Sequence, residues 1–284
     1  VENAKLIELL NKDLEDEHGA IIQYLEHAYG MGEGEMACEI EAIARDEMRH
    51  LDWLAETIVE LGGTPSLERG KMLMSGSWVT DWMKNDVSLE QGAIAQYKEH
   101  IKLADDPKIK RLLQRILSDE EAHRGNFEHF VEKAARELSQ DVRGSRKDET
   151  AQTLNWGIAH EYTVILQYLL HSYMNPDAEA KKQLEDQAIN EMQHLGWLAE
   201  RLVSDGGRPN IEHTAVDRST DPADALKADI KIEKEVAEVY DKAGRKAEST
   251  KIRDLLFRIR DNELYHIDVF TDLLQKGKKE KKEE

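Results

Sequence analysis

Glu47–Pro65 reads EMRHLDWLAETIVELGGTP, and Glu191–Pro209 reads EMQHLGWLAERLVSDGGRP. Twelve of these nineteen positions are identical at an offset of 144, so the chain carries one unit twice. The same offset carries Glu17, Gln23, Tyr24 and His27 onto Glu161, Gln167, Tyr168 and His171. Further along, an offset of 143 carries Glu90, Tyr97, Glu120 and His123 onto Glu233, Tyr240, Glu263 and His266. The repeat spans nearly all of the 284 residues and predicts two domains, over 1–140 and 146–277. The charged end at 278–284 is expected to be disordered.

Apolar residues recur at helical steps in every segment, as at Leu6, Leu10, Leu14 and Ile21. The pattern predicts helices near 3–29, 36–61, 86–104 and 107–138, repeated near 147–174, 177–204, 222–244 and 249–275. Gly62-Gly63 and Gly206-Gly207, each with proline beyond, are stop signals. The connection after each second helix is too long for a hairpin. The fold class is therefore all-α: two tandem four-helix bundles, each with a long crossover between its second and third helices. Ser139–Lys147 is polar and is the expected linker.

Composition narrows the function. A formal net charge of −19 disfavours nucleic acid as a partner. The longest nearly apolar stretch, 162–170, includes Gln167 and is too short to span a membrane. The first residues carry no basic segment followed by an apolar one, so no secretory leader is expected. Cys38 is the only cysteine, which excludes intramolecular disulfides and fits a cytoplasmic setting.

Ionisable residues interrupt the apolar seams. Glu120 and His123 follow Ile109, Leu113 and Ile116 and precede Phe127 and Phe130; Glu263 and His266 sit alike among Ile252, Leu256, Ile259, Phe270 and Leu273. Glu47 and His50 lie on the seam of Ile40, Ile43 and Leu54, and Glu191 and His194 on that of Ile189, Leu198 and Leu202. Glu17, Glu90, Glu161 and Glu233 complete the set, with Glu99 and Glu235 as nearby alternatives outside the repeat register. Each bundle thus points four glutamates and two histidines inward, with no lysine or arginine on the seam. Unpaired buried carboxylates cost several kcal/mol each. Two divalent cations would balance four carboxylates, the ligand set of dimetal ferritin-like bundles.

The chain has five Glu-x-x-His pairs where composition alone would give roughly one. The fifth, Glu15 with His18, breaks the repeat and is expected on the surface. Asp46, Asp119, Asn190 and Asn262 each precede a seam glutamate and are candidates to accept the free N–H of a ligating histidine, or are ordinary polar residues. Tyr24 and Tyr168 lie two turns after the first-helix glutamates; they read as hydrogen-bond or one-electron donors beside the metals, or as core.

Glu17, Gln23-Tyr24, His27, Asp46-Glu47-Met48-Arg49-His50 and the Gly-Gly-x-Pro turn resemble the bacterioferritin pattern, and the second half repeats it. The resemblance implies that Glu17 with His50 binds one iron and Glu90 with His123 the other, bridged by Glu47 and Glu120. In the second half, Glu161 with His194 and Glu233 with His266 take these roles, bridged by Glu191 and Glu263. That makes two di-iron centres and four metals per chain, with manganese as the other candidate. Met48 and Met192 match the position that supplies haem ligands in that family, and equally read as core methionines. The family's fifth, cage-closing helix has no counterpart in the pattern, so a small homo-oligomer is expected. The implied activity is ferroxidase-type oxidation of Fe(II) by O2 or H2O2, with an unidentified electron donor. The alternatives are a rubrerythrin-like peroxide reductase, a manganese catalase, or non-catalytic iron storage.

Overall fold

The computed structural model describes residues 3–137 and 147–283. Among them are eight helices and no strand: α1 Asn3–Met31, α2 Glu35–Glu60, α3 Val79–Leu103, α4 Pro107–Glu137, α5 Glu149–Met174, α6 Ala178–Ser204, α7 Pro222–Lys246 and α8 Thr250–Glu283. They fall into two units, Val1–Gly144 and Ser145–Glu284, each a four-helix bundle. The expected linker lies almost wholly outside the described residues. In the first unit α1 packs along α2 and α3 along α4, while α1 meets α3 and α2 meets α4; α5 to α8 repeat this arrangement.

The glycine pairs end the second helix of each bundle by one mechanism. Gly62 takes φ +83° and Gly206 φ +79°, a conformation that disfavours side chains. The amides of Gly62 and Gly63 donate to Val59 and Ile58 carbonyls at 2.9 Å, and those of Gly206 and Gly207 to Val203 and Leu202 at 2.9 Å. The last carbonyls are thereby satisfied and the chain turns away. It then crosses the first helix of its bundle, where a paired asparagine holds it. Asn11 accepts from the Ser66 amide at 2.7 Å and donates to the Thr64 carbonyl; Asn155 accepts from Asn210 at 2.8 Å and donates to Arg208.

Three local readings are corrected. α3 begins at Val79, two turns before the expected 86, because Val79, Trp82 and Met83 bury their side chains there and Asp81 accepts the Trp78 amide at 3.4 Å. α8 continues to Glu283 through the end expected to be disordered. Ile189 is 53% exposed, and Ala188, three residues before Glu191 rather than two, takes the seam.

Candidate metal centres

The inner cluster of the first bundle forms around two imidazoles. His50 Nδ1 stands 2.7 Å from Glu47 Oε2, 3.0 Å from Glu120 Oε1 and 3.7 Å from Glu17 Oε2. His123 Nδ1 stands 2.8 Å from Glu47 Oε1 and 3.9 Å from Glu90 Oε1. Glu47 therefore turns one oxygen to each histidine, while Glu17 and Glu90 flank one each. In the second bundle Glu191 Oε2 and Oε1 lie 2.7 Å from His194 and His266 Nδ1, and the two Glu263 oxygens lie 3.2 Å from the same two nitrogens. Glu161 flanks His194 at 3.8 Å and Glu233 flanks His266 at 3.4 Å. Four ligand groups result, and they overlap in pairs: Glu47 and Glu120 belong to both groups of one bundle, Glu191 and Glu263 to both of the other. All twelve side chains are buried.

The shell around each cluster is built crosswise. Tyr24 on α1 donates to Glu90 on α3 at 2.6 Å, and Tyr97 on α3 donates back to Glu17 on α1. Tyr168 and Tyr240 do the same to Glu233 and Glu161. The remote ring nitrogens are partnered across α2 and α4: His50 Nε2 lies 3.4 Å from Asp119, and His123 Nε2 lies 3.3 Å from Asp46. His194 Nε2 lies 2.9 Å from the Asn262 amide. Asp46, Asp119 and Asn262 thus serve the histidine of the facing helix rather than the one four residues on.

Burial is the largest influence on these groups and pushes Glu90, Glu120, Glu161 and Glu233 well above the usual carboxylate range. Burial, then repulsion from Glu47, pushes Glu17 up to about 8. Glu47 and Glu191 are also buried, but hydrogen bonds from two histidines each hold them below the usual range. The glutamates outweigh burial at the histidines, raising His123 to about 9 and His194 to about 12; His50 and His266 are raised as well. Without a metal, each cluster therefore holds itself together with protons. Glu90 Oε2 and both oxygens of Glu263 are buried without accepting a hydrogen bond, so protons do not satisfy the donor set fully. Divalent ions fit it: hard carboxylate oxygens and neutral imidazoles converge on two adjacent points.

A family model for the ferritin-like domain matches residues 7–137 and again 151–279. The chain belongs to the ferritin-like family. Bacterioferritin from Desulfovibrio desulfuricans is 36% identical over 133 residues, 45% of this chain and 74% of that protein. Bacterioferritin BfrA from Mycobacterium tuberculosis is 31% identical over 124 residues, 42% of this chain and 78% of that one. The crystal structure of the Desulfovibrio desulfuricans protein, described for its diiron site, aligns at 30% identity and a TM-score of 0.45, over 52% of this chain and 94% of that one. This is a bacterioferritin-like protein with its ferritin-like domain in tandem. No helix among the described residues is long and apolar enough to cross a membrane.

Within this ferritin-like pair, Glu99 and Glu235 point outward with side chains 67% and 65% exposed, leaving Glu90 and Glu233 at the clusters. Met48 and Met192 are half-buried and belong to none of the four groups. Trp53 and Trp197 stand beside the cluster histidines, with ring centroids 5.8 and 5.5 Å from His50 and His194. Glu15 and His18 are not a surface pair: His18 is buried beneath the crossover, its Nδ1 3.0 Å from the Glu68 carbonyl. Sequence reasoning missed Asp86 and Asp229. Both are fully buried, and each takes the amide of Gln23 or Gln167 at 2.7 or 2.8 Å and faces His27 or His171 Nδ1 at 2.9 or 2.8 Å. The other side of each glutamine accepts a crossover amide, from Leu73 or Asp217. Their spacing, one turn before Glu90 and Glu233 on the same helix face, was the available signal.

Proposed function

We propose that each bundle binds two iron ions and carries out ferroxidase-type oxidation of Fe(II). Glu17 with His50 and Glu90 with His123 hold the outer positions of the first centre, and Glu47 and Glu120 bridge. Glu161 with His194 and Glu233 with His266 do so in the second, bridged by Glu191 and Glu263. The observation that carries this reading is the single glutamate, Glu47 or Glu191, with one oxygen turned to each of two histidines. A structural ion pair needs one partner, whereas a shared carboxylate between two ligand groups is what a dimetal site requires.

Bound iron supplies the redox chemistry: two Fe(II) give two electrons to O2 or H2O2, yielding two Fe(III) and, with two protons, H2O2 or two waters respectively. The protein's own residues do the rest. Tyr24 and Tyr97 fix the flanking carboxylates by donating to Glu90 and Glu17, and Tyr168 and Tyr240 fix Glu233 and Glu161. Asp119 and Asp46 receive the remote N–H of the histidines, which sets the ring so that Nδ1 faces the carboxylates. The protons that Glu17 and the histidines carry without metal are released when the cluster fills.

Anaerobic Fe(II) titration followed by O2 or H2O2 addition tests the reading. The expected result is four Fe(II) bound per chain and rapid formation of Fe(III) at the filled centres. Binding without oxidation by either oxidant would overturn the ferroxidase reading, and tighter binding of Mn(II) than Fe(II), with peroxide turnover, would favour a catalase.

A further inference from the structure

The two bundles treat one tryptophan differently. Trp53 on α2 and Trp197 on α6 hold the same place in the repeat, and each ring stands beside a cluster histidine. In the second bundle Arg258 of α8 covers the tryptophan, its guanidinium carbon 3.9 Å from the Trp197 ring centroid. A guanidinium is held over an indole face by its charge against the ring quadrupole and by planar stacking. The counterpart of Arg258 is Arg115, and it is drawn elsewhere: its Nε donates to Asp119 at 3.0 Å. One position accounts for the difference. Asp119 is a carboxylate and pairs with the cation one turn before it, whereas its counterpart Asn262 is a neutral amide 2.9 Å from the His194 ring nitrogen.

The first bundle is left with a cavity of about 410 Å³ between the end of α2 and the start of α4, and the half-buried Trp53 lies in its wall. Leu61, Ile109 and Leu112 give it apolar sides, and Glu56, Glu60 and Asp106 add carboxylates. Both cations of the lining are engaged, Lys108 with Glu60 at 2.6 Å and Arg115 with Asp119. The lining therefore suits a cation with an apolar stem and offers no uncommitted positive charge to an anion.

We propose that this cavity seats an arginine side chain of a partner protein, with its guanidinium over Trp53 as Arg258 lies over Trp197. The second bundle fills the equivalent seat from its own chain. A cavity of this size takes more than one guanidinium, so the residues flanking the arginine enter with it, against Leu61 and Leu112. Free arginine fits less well, because its own carboxylate would meet Glu56 and Asp106 with neither cation released. A second copy of this chain carries the same net charge of −19 and is repelled, while a basic partner is steered inward. The occupant lies against the tryptophan beside His50, so such a partner touches the first bundle's cluster region and not the second's. The seat does not depend on the reaction proposed for the clusters.

The test is NMR of the five tryptophan indole N–H groups of the full chain, titrated with N-acetyl-arginine amide, N-acetyl-lysine amide and free arginine. Trp53→Phe identifies the Trp53 signal by its loss. The expected result is a saturable shift of that signal with the arginine amide, about fivefold weaker binding of the lysine amide, and a Trp197 signal that stays still. No saturable shift, or equal binding of lysine, would overturn the guanidinium seat. Tighter binding of free arginine would overturn the protein partner. Two further variants test the seat from both sides. Arg258→Ala should open the second seat, so that the Trp197 signal now responds. Asp119→Asn should release Arg115 onto Trp53 and weaken the arginine amide about fivefold. A silent Trp197 in the first, or wild-type affinity in the second, would equally overturn the proposal. Should Trp53→Phe fail to fold, these two variants assign the rings by which signal gains or loses its response.

Discussion

The two bundles share their inner six residues and the tyrosines and tryptophans beside them, and differ in what partners the remote histidine nitrogens and in how the crossover meets the first helix. The first partners its histidines' remote nitrogens with Asp119 and Asp46; the second offers Asn262 to His194. Where the crossover meets the first helix, the first bundle uses two glycines: the Gly70 amide donates to the Glu15 carbonyl at 2.6 Å, and a Cβ on Gly19 would lie 3.0 Å from the Gly70 oxygen. The second bundle puts threonines at both positions. Thr163 Oγ1 takes the Thr214 amide at 2.8 Å and meets its hydroxyl at 3.0 Å. A backbone crossing can thus be made by close approach or by side-chain bridging, with the same result. The inner clusters have no such freedom, because loss of one carboxylate from a buried, mutually dependent set leaves the others uncompensated.

The sharpest way to break the comparison is to remove one bridge at a time. Glu47→Ala should abolish both metals of the first bundle and Glu191→Ala both of the second, each reducing the metal bound from four to two per chain by anaerobic titration. Loss of all four from either change would mean that the bundles are not independent.

Both halves should answer to pH with the same sign. From about pH 5 to 8 the metal-free native chain keeps a proton on Glu17 that the unfolded chain has lost, and from about 6.5 to 9 it keeps one on His123. The native state then binds more protons than the unfolded, so stability falls as pH rises. Glu47 and Glu191 act oppositely, but only as pH drops below about 4.5, their unperturbed value. The melting temperature of the metal-free chain should therefore fall between pH 6 and 9. Saturating Mn(II) should remove that fall by replacing the protons. A flat metal-free profile would mean the cluster carries no extra protons.

The crossover predicts a smaller difference. A Cβ on Gly70 would lie 2.5 Å from Asp16 Oδ1 and 2.7 Å from the Glu15 carbonyl, so Gly70→Ala should cost about 2 kcal/mol by overpacking. Thr214→Ala removes one hydroxyl contact and keeps the amide bond to Thr163, which should cost about 1 kcal/mol. Urea unfolding of the two variants ranks them, and the reverse order would mean the glycine crossing has slack.

An effect confined to one metal position sharpens the comparison at the histidines. An aspartate can only accept from Nε2–H, whereas an asparagine serves either tautomer by turning its amide over. Asp119→Asn should weaken metal at His50 about tenfold, toward the behaviour of the second bundle. Competition with a chromophoric chelator measures it. Unchanged affinity would mean that Asp119 acts only through its 3.0 Å contact with Arg115.

The repeat, the helical periodicity and the Glu-x-x-His pairs were legible in the sequence because each is a local, one-dimensional signal: a helix places residues three and four apart on one face wherever it sits. The amino-acid order therefore determined the all-α class, the duplication and the inward set of twelve. What it could not carry was which face meets which. Asp119 serves His50 and Tyr97 serves Glu17 because α4 and α3 are brought against α2 and α1, pairings absent from any single helix. The early start of α3 follows the burial of Trp82 and Met83, which only packing supplies. The buried roles of His18 and Asp86 were equally hidden: both depend on residues across the fold, His18 on a crossover carbonyl fifty residues away and Asp86 on α1. Sequence determined what each helix offers. Tertiary structure decided who receives it, because desolvation and hydrogen bonding act on neighbours in space rather than along the chain.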